Sequence, residues 1–337
     1  MTLAPRKILI VKPSSLGDIV HSLPFLARLR RCQPEAELHW LVAPGLRDFL
    51  AGHPFLHRLW LFDKDRWKQG GRLPRSVWEM LRLAGELRRQ RFDAAVDLSG
   101  LLRSGLVTFA SGARLRYGFS NGDEGSPLFY NRKISGDMSR HAVDRYLQLA
   151  ELMGCRDGEV EFPLPPFDPD PPVCRTLPQR YVVMAPAAGK EANRWPAERF
   201  GALAARLPLP AVVVGSVPDR EIAAETVAHA GGNAFSLAGD TDLKEMMAVI
   251  ARAVFAVAGD TGPMHVAAAL GVPVFAIFGP ANPARTGPYG GGHTVISTAA
   301  DCAPCYARRP CRSEDWRCMT QISVEQVLAA IRARNLR

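Results

Sequence analysis

Short strand-like runs and amphipathic stretches alternate along this chain from near residue 7 to residue 334. In the first half, Lys7–Lys12, Leu38–Val42, Ala94–Leu98 and Arg114–Gly118 read as strands. Asp18–Arg31, Arg75–Arg91 and Arg140–Met153 space their apolar residues as helices do. In the second half, strands fit Tyr181–Ala185, Ala211–Gly215, Phe255–Ala258 and Val274–Phe278. Helices fit Pro196–Leu207, Asp219–His229, Leu243–Arg252, Pro263–Leu270 and, at the end, Val324–Arg334. Apolar strands separated by helices predict parallel sheets covered on both faces. Between the halves lies Pro163–Pro172, with six prolines in ten residues, which no helix or central strand tolerates. The expected fold class is therefore α/β: two Rossmann-like domains with parallel sheets facing a central cleft. Their expected bounds are 1–162 and 177–322, with a Pro-rich linker over 163–176 and a last helix over 323–337.

The length of 337 residues suits two cores. No apolar run approaches the roughly 18 residues that span a bilayer. The first ten residues lead straight into a strand without a charged-then-apolar leader, so a cytoplasmic location is expected. The net charge of +9 is lopsided: residues 1–160 hold 25 Lys+Arg against 17 Asp+Glu, and the remainder is nearly balanced. A negative partner is thus expected on the first half. Lys64, Arg66, Lys68, Arg72 and Arg75, with Trp67 and Trp78 interleaved, suit adsorption to an anionic membrane surface. A solvated helix face is the plainer reading. A nucleic acid would also match the charge, but no helix-turn-helix or RNA-binding signature accompanies it, and no nucleic-acid partner is expected.

Two strand–loop–helix segments carry candidate chemistry. In Lys12-Pro13-Ser14-Ser15-Leu16-Gly17-Asp18, Gly17 permits a tight turn and Asp18 stands in the first turn of a helix. Asp18 reads either as a helix cap or as a catalytic carboxylate. Gly-x-Gly-x-x-Gly is absent, which argues against a dinucleotide-binding dehydrogenase. In Gly259-Asp260-Thr261-Gly262-Pro263-Met264-His265, the glycines let a ligand approach, and the helix start offers N–H groups to phosphate oxygens. His265 reads either as a further donor or as a buried structural histidine. Asp260-Thr261-Gly262 also spells the aspartic-protease triplet, but it occurs once and in a parallel-sheet context.

These segments resemble glycosyltransferase family 9, the ADP-heptose:lipopolysaccharide heptosyltransferases. Lys12–His21 is similar to that family's opening signature, and Gly259–His265, followed by Phe278-Gly279-Pro280 and Asn282-Pro283, to its donor-binding signature. Asp97–Gly105 and His141–Tyr146 are similar to the heptosyltransferase I branch. The resemblance implies a GT-B fold with the last helix packing back on the first domain. It implies inverting transfer of L-glycero-D-manno-heptose from ADP-heptose to Kdo of lipid A, without an essential metal or cofactor, at the cytoplasmic face of the inner membrane. Asp18 would be the base. The family commonly places a lysine two residues before a Trp-Pro pair; here Asn193 stands there, and Lys190 or Arg194 would supply the charge for the diphosphate. Ala188, Gly189, Asp260, Thr261, Gly262 and His265 would complete the donor loop, with Asp219 (Glu221 as second choice) near the ribose and Thr241 near the adenine. Ser14, Ser15, Arg103, His141 and Arg145, with Arg132 and Lys133, would face the anionic acceptor.

Cys302, Cys305, Cys311 and Cys318 form C-x2-C-x5-C-x6-C, a pattern that admits structural zinc, although reduced thiols are preferred. Cys32, Cys155 and Cys174 read as ordinary thiols, since disulfides are uncommon in a cytosolic chain. Heptosyltransferase II, another ADP-sugar transferase of the family and a nucleotide-sugar epimerase are the enzyme alternatives.

Overall fold

The computed structural model describes residues 5–63, 73–156, 158–306, 311 and 316–335, with the side chains of 73–77 left aside. The chain divides into two compact units, Met1–Pro166 and Phe167–Arg337. In the first, β1 (Lys7–Val11), β2 (Glu37–Val42), β3 (Arg58–Leu61), β4 (Ala94–Asp97), β5 (Leu115–Phe119) and β6 (Arg132–Ile134) pair in the order β3-β2-β1-β4-β5-β6. Its helices are α1 (Leu16–Cys32), α2 (Arg47–Leu50), α3 (Leu73–Arg89), α4 (Leu102–Ala110) and α5 (Ala142–Leu152). In the second unit, β7 (Val182–Ala185), β8 (Ala211–Val213), β9 (Ala234–Ser236), β10 (Ala256–Ala258), β11 (Val274–Phe278) and β12 (Thr294–Ser297) pair as β12-β11-β10-β7-β8-β9. Its helices are α6 (Ala197–Ala204), α7 (Arg220–Ala228), α8 (Leu243–Ala251), α9 (Gly262–Ala269), α10 (Pro283–Thr286), α11 (Arg317–Thr320) and α12 (Val324–Ala333).

All the strand pairs are parallel, and both units have the doubly wound order. The central strands are apolar because helices cover both faces: Ile8, Leu9, Ile10 and Val11 of β1 are fully buried. The same holds for Val274–Phe278 of β11. This order puts a switch point between β1 and β4 in the first unit and between β7 and β10 in the second. Loops leaving the carboxyl ends of those strands are where a ligand is held in such sheets. The four loops are Lys12–Ser15, Leu98–Leu101, Pro186–Pro196 and Gly259–Thr261.

Within the proline-rich run, Pro163 O contacts His53 Nε2 at 2.7 Å in the first unit, and Asp170 pairs with Arg252 at 2.5 Å in the second. The last helix, α12, packs within its own unit. Val327, Leu328 and Ile331 make one apolar stripe that joins the core with Phe200, Phe275 and Ile296. Cys32 and Cys155 are not ordinary thiols but form a disulfide. The end of α1 and the turn after α5 bring them together, because α1 and α5 pack side by side. Cys174 is a buried free thiol. Among the described residues, no helix is long and apolar enough to cross a membrane.

Candidate active site

Lys12 leaves β1 into the first loop, where Trp40 Nε1 donates to its carbonyl at 3.0 Å. Its side chain, 5% exposed, turns inward, and Nζ lies 3.3 Å from Asp18 Oδ1 and 3.4 Å from Leu98 O. Asp18 sits in the first turn of α1. Oδ2 accepts from Ser15 N and Ser15 Oγ, each at 2.9 Å, which caps the helix. Oδ1 faces Lys12 and accepts from Tyr146 Oη at 3.4 Å. Burial alone would raise the Asp18 carboxyl; the Lys12 ammonium and the Ser15 hydrogen bonds outweigh it and hold the group below its ordinary value. With 40% of its side chain exposed, the Asp18 carboxylate remains reachable.

The neighbouring loop, after β4, is braced by a second carboxylate. Asp97 is fully buried; Oδ1 accepts from Ser99 N at 2.7 Å and Gly100 N at 3.1 Å, and Oδ2 from Tyr130 Oη at 2.6 Å. Burial raises its carboxyl against the pull of those bonds. Of the expected acceptor residues, Ser14 and Ser15 precede α1, and His141 caps α5, its Nδ1 accepting from Val143 N at 3.2 Å. The His141 ring meets His21 of α1 edge-on at 4.9 Å. Arg145 follows on α5 with Nη1 3.2 Å from Met138 Sδ. The α1–α5 pair therefore gathers Ser15, Asp18 and His141. Arg103 stands apart in the first turn of α4, and Arg132 and Lys133 lie exposed on β6. Sequence reasoning quoted Lys12 and Tyr146 without assigning them a role. A lysine ending an apolar strand was the available signal.

In the second unit, Gly259 is required by contact: a Cβ there would lie 2.6 Å from Asn193 O. Asn193 Nδ2 also reaches Asp260 Oδ2 at 3.5 Å, so the residue in place of the usual lysine ties the two loops together. Asp260 Oδ1 lies 3.4 Å from Nε2 of the buried His265. Thr261 precedes α9, which starts at Gly262, one residue before the expected proline. The loop after β7 is anchored by Trp195, fully buried with its Nε1 donating to Ile322 O at 2.9 Å. Ala188 is buried and Gly189 exposed. Lys190 and Arg194 are both exposed; Lys190 Nζ donates to Tyr306 O at 2.9 Å and Arg194 Nε to Ala188 O at 3.1 Å.

Asp219 repeats the Asp18 cap, with Oδ2 accepting from Ser216 N at 2.8 Å and Ser216 Oγ at 2.6 Å. Gly239 N donates to Gly215 O at 2.9 Å, and Arg220 pairs with Asp240 at 2.8 Å. The loops bearing Asp219, Glu221 and Thr241 are thus joined at the carboxyl ends of β8 and β9.

Among the described residues, one set of three metal-capable ligand atoms lies within 4.8 Å: Glu37, His39 and His57. It does not suit a cation. Trp60 Nε1 donates to His39 Nδ1 at 3.1 Å, which leaves the ring proton on Nε2, and the Lys7 ammonium already occupies Glu37 at 3.0 Å. Burial takes His39 down to about 4. The four C-terminal cysteines do not form such a closed set. Cys318 is buried beside Gly279, and burial together with Cys302, Cys305 and Cys311 pushes its thiol up to about 11. The basic patch at 64–72, including Trp67, lies outside the described residues, as does the Arg75 side chain; Trp78 on α3 is 60% exposed.

Residues 80–316 match the model of glycosyltransferase family 9 (heptosyltransferase). The chain belongs to that family. It is 26% identical to the lipopolysaccharide core heptosyltransferase OpsX of Haemophilus influenzae, over 98% of this chain and 97% of that one. It is 32% identical to lipopolysaccharide heptosyltransferase 1 of Pseudomonas aeruginosa, over 47% and 44% of the two chains. Its structure is similar to that of Escherichia coli ADP-heptose lps heptosyltransferase II, with a TM-score of 0.79 at 25% identity, covering 97% and 98% of the chains. The fold is the GT-B fold of those family 9 enzymes.

If the Gly259 loop receives the nucleotide of a family 9 donor, Gly259→Ala is expected to weaken ADP binding about tenfold, roughly 1.4 kcal/mol. Calorimetric titration with ADP checks it.

Proposed function

We propose that this family 9 enzyme is a heptosyltransferase I of lipopolysaccharide core synthesis. It moves L-glycero-D-manno-heptose from ADP-heptose to a Kdo residue of lipid A, with inversion and without an essential metal. The observation that carries the reading is Asp18, an ionised carboxylate at a strand end of the Rossmann-like first unit, held by partners and still reachable. Similarity to OpsX and to heptosyltransferase 1 supports the reaction class. Similarity to a solved heptosyltransferase II supports the second reading, the next transfer along the core.

In the proposed reaction the acceptor oxygen bonds to the anomeric carbon as the bond to the ADP oxygen breaks. The acceptor proton passes to Asp18. Inversion follows from this single displacement. Charge growing on the diphosphate is met in the second unit by the N–H groups at the start of α9, by the Thr261 hydroxyl and by Lys190 or Arg194. Asp219 binds ribose hydroxyls, and Thr241 borders the adenine. Arg103, His141 and Arg145 pair with acceptor anions, Arg by two-pronged contacts.

The enzyme then works against the cytoplasmic face of the inner membrane, where its lipid acceptor lies. Exposed Trp78 and Leu81 on α3, and Leu102 and Phe109 on α4, support that placement. In the same unit, Arg82, Arg88 and Arg103 supply charge for anionic headgroups.

ADP release should require both ADP-heptose and Kdo-bearing lipid A, with a product one heptose heavier by mass. Release with an already heptosylated acceptor alone would favour heptosyltransferase II. Asp18→Asn is expected to lower turnover by 100-fold or more, on the order of the usual general-base contribution, while ADP still binds. Dialysis against a chelator should leave the rate within about twofold, since the charge stabilisation assigned above comes from dipoles and cations of the protein. Flotation with anionic vesicles should be strong at low salt and fall steeply as salt rises; indifference to salt would refute membrane adsorption through charge.

A further inference from the structure

Lys12 is 4% exposed and Tyr146 5% exposed, and both side chains end on the same carboxylate oxygen. A buried ammonium is costly unless it is paired, so the ion pair holds Lys12 in place as firmly as it holds Asp18. The Lys12 ammonium also lies 5.1 Å from the Tyr146 ring centroid and reaches Leu98 O after β4. Three elements thereby meet on Asp18: β1 through Lys12, the end of β4 through that lysine, and α5 through Tyr146.

We propose that Lys12 and Tyr146 are positioning residues that keep the Asp18 base ionised and fix the orientation of Oδ1; this rests on the reading of Asp18 as the base. The two oxygens of Asp18 have separate partners. Oδ2 is tied to Ser15 and sets the helix start. Oδ1 is drawn to Lys12 and Tyr146, which fixes the rotation of the carboxylate. The clamp makes Asp18 a weaker base but a constantly available one. Proton transfer then comes late, once bonding to the anomeric carbon has acidified the attacking hydroxyl.

The other groups near this carboxylate come from α5 and α1. His141 and Asp144 lie in the first turn of α5, Arg145 precedes Tyr146, and His21 lies one turn along α1. Asp97 at the end of β4 is engaged by Tyr130 and the Ser99 and Gly100 amides.

The test is the acid side of the kcat/KM profile. The wild type should stay flat down to the pH at which it unfolds. In Lys12→Met the acid limb should rise by about 1–3 pH units, the usual effect of losing an opposite charge at this range. Lys12→Arg, which keeps the charge, should restore the wild-type limb. Tyr146→Phe should leave the limb in place and lower kcat severalfold with KM steady. A folded Lys12→Met that binds ADP normally and keeps the wild-type limb would overturn the clamp. Were Lys12→Met not to fold, titration of labelled aspartate in the wild type decides instead: an Asp18 value at or above the ordinary value of about 3.9 overturns the proposal. Turnover of Asp18→Asn separates the two claims. An active Asp18→Asn removes the base itself, whereas an inactive one beside an unchanged Lys12→Met profile removes only the clamp.

Discussion

The Lys12 ammonium lies almost wholly out of water, 3.3 Å from Asp18, where the first strand gives way to the first helix. Much of the first unit is arranged around this contact. Four fully buried apolar residues of β1 deliver the lysine to the interior end of the strand. Trp40 of β2 holds its carbonyl, and the Leu98 carbonyl after β4 takes its third direction. The carboxylate in turn starts α1 through Ser15 and fixes α5 through Tyr146. A charge pair whose ammonium is buried gains little net stability, because desolvation opposes the Coulomb attraction. Its retention here makes physical sense as a way to keep one carboxylate ionised in one orientation.

The second unit solves a different problem on the same sheet order. No buried lysine follows β7. Instead Trp195 anchors the loop, and Asn193 meets Gly259 and Asp260, so that two backbone turns come within contact distance. The cationic groups, Lys190 and Arg194, stay exposed and donate to backbone carbonyls. Such an arrangement suits a ligand that carries its own fixed charge and needs amides and mobile cations rather than a preset base.

The apolar runs of the central strands made both sheets legible, because burial on two faces leaves a continuous signal within five residues. The edge strands β3, β6 and β12 escaped, since Arg58–Leu61, Arg132–Ile134 and Thr294–Ser297 are short and mix polar with apolar positions. Helix α4 escaped for a related reason: Leu102–Ala110 has apolar residues on its exposed face as well as its buried one. Asp18 was visible in the first turn of a helix after a strand, and Gly259 as a loop residue after a strand. The partners of Asp18 were not all visible, because Tyr146 is 128 positions away and only the packing of α5 on α1 brings it near. The Cys32–Cys155 link was hidden in the same way, and compartment reasoning pointed against it.

That link has a consequence for how the molecule persists in its surroundings. It joins residues 123 positions apart, all within the first unit, and it restricts the unfolded form of that unit only. By the chain-entropy relation, a closed loop of this size is worth about 5 kcal/mol. The first unit therefore has a resistance to unfolding that rises and falls with the thiol–disulfide poise around it. Endurance under reducing conditions becomes a property of one half of the enzyme.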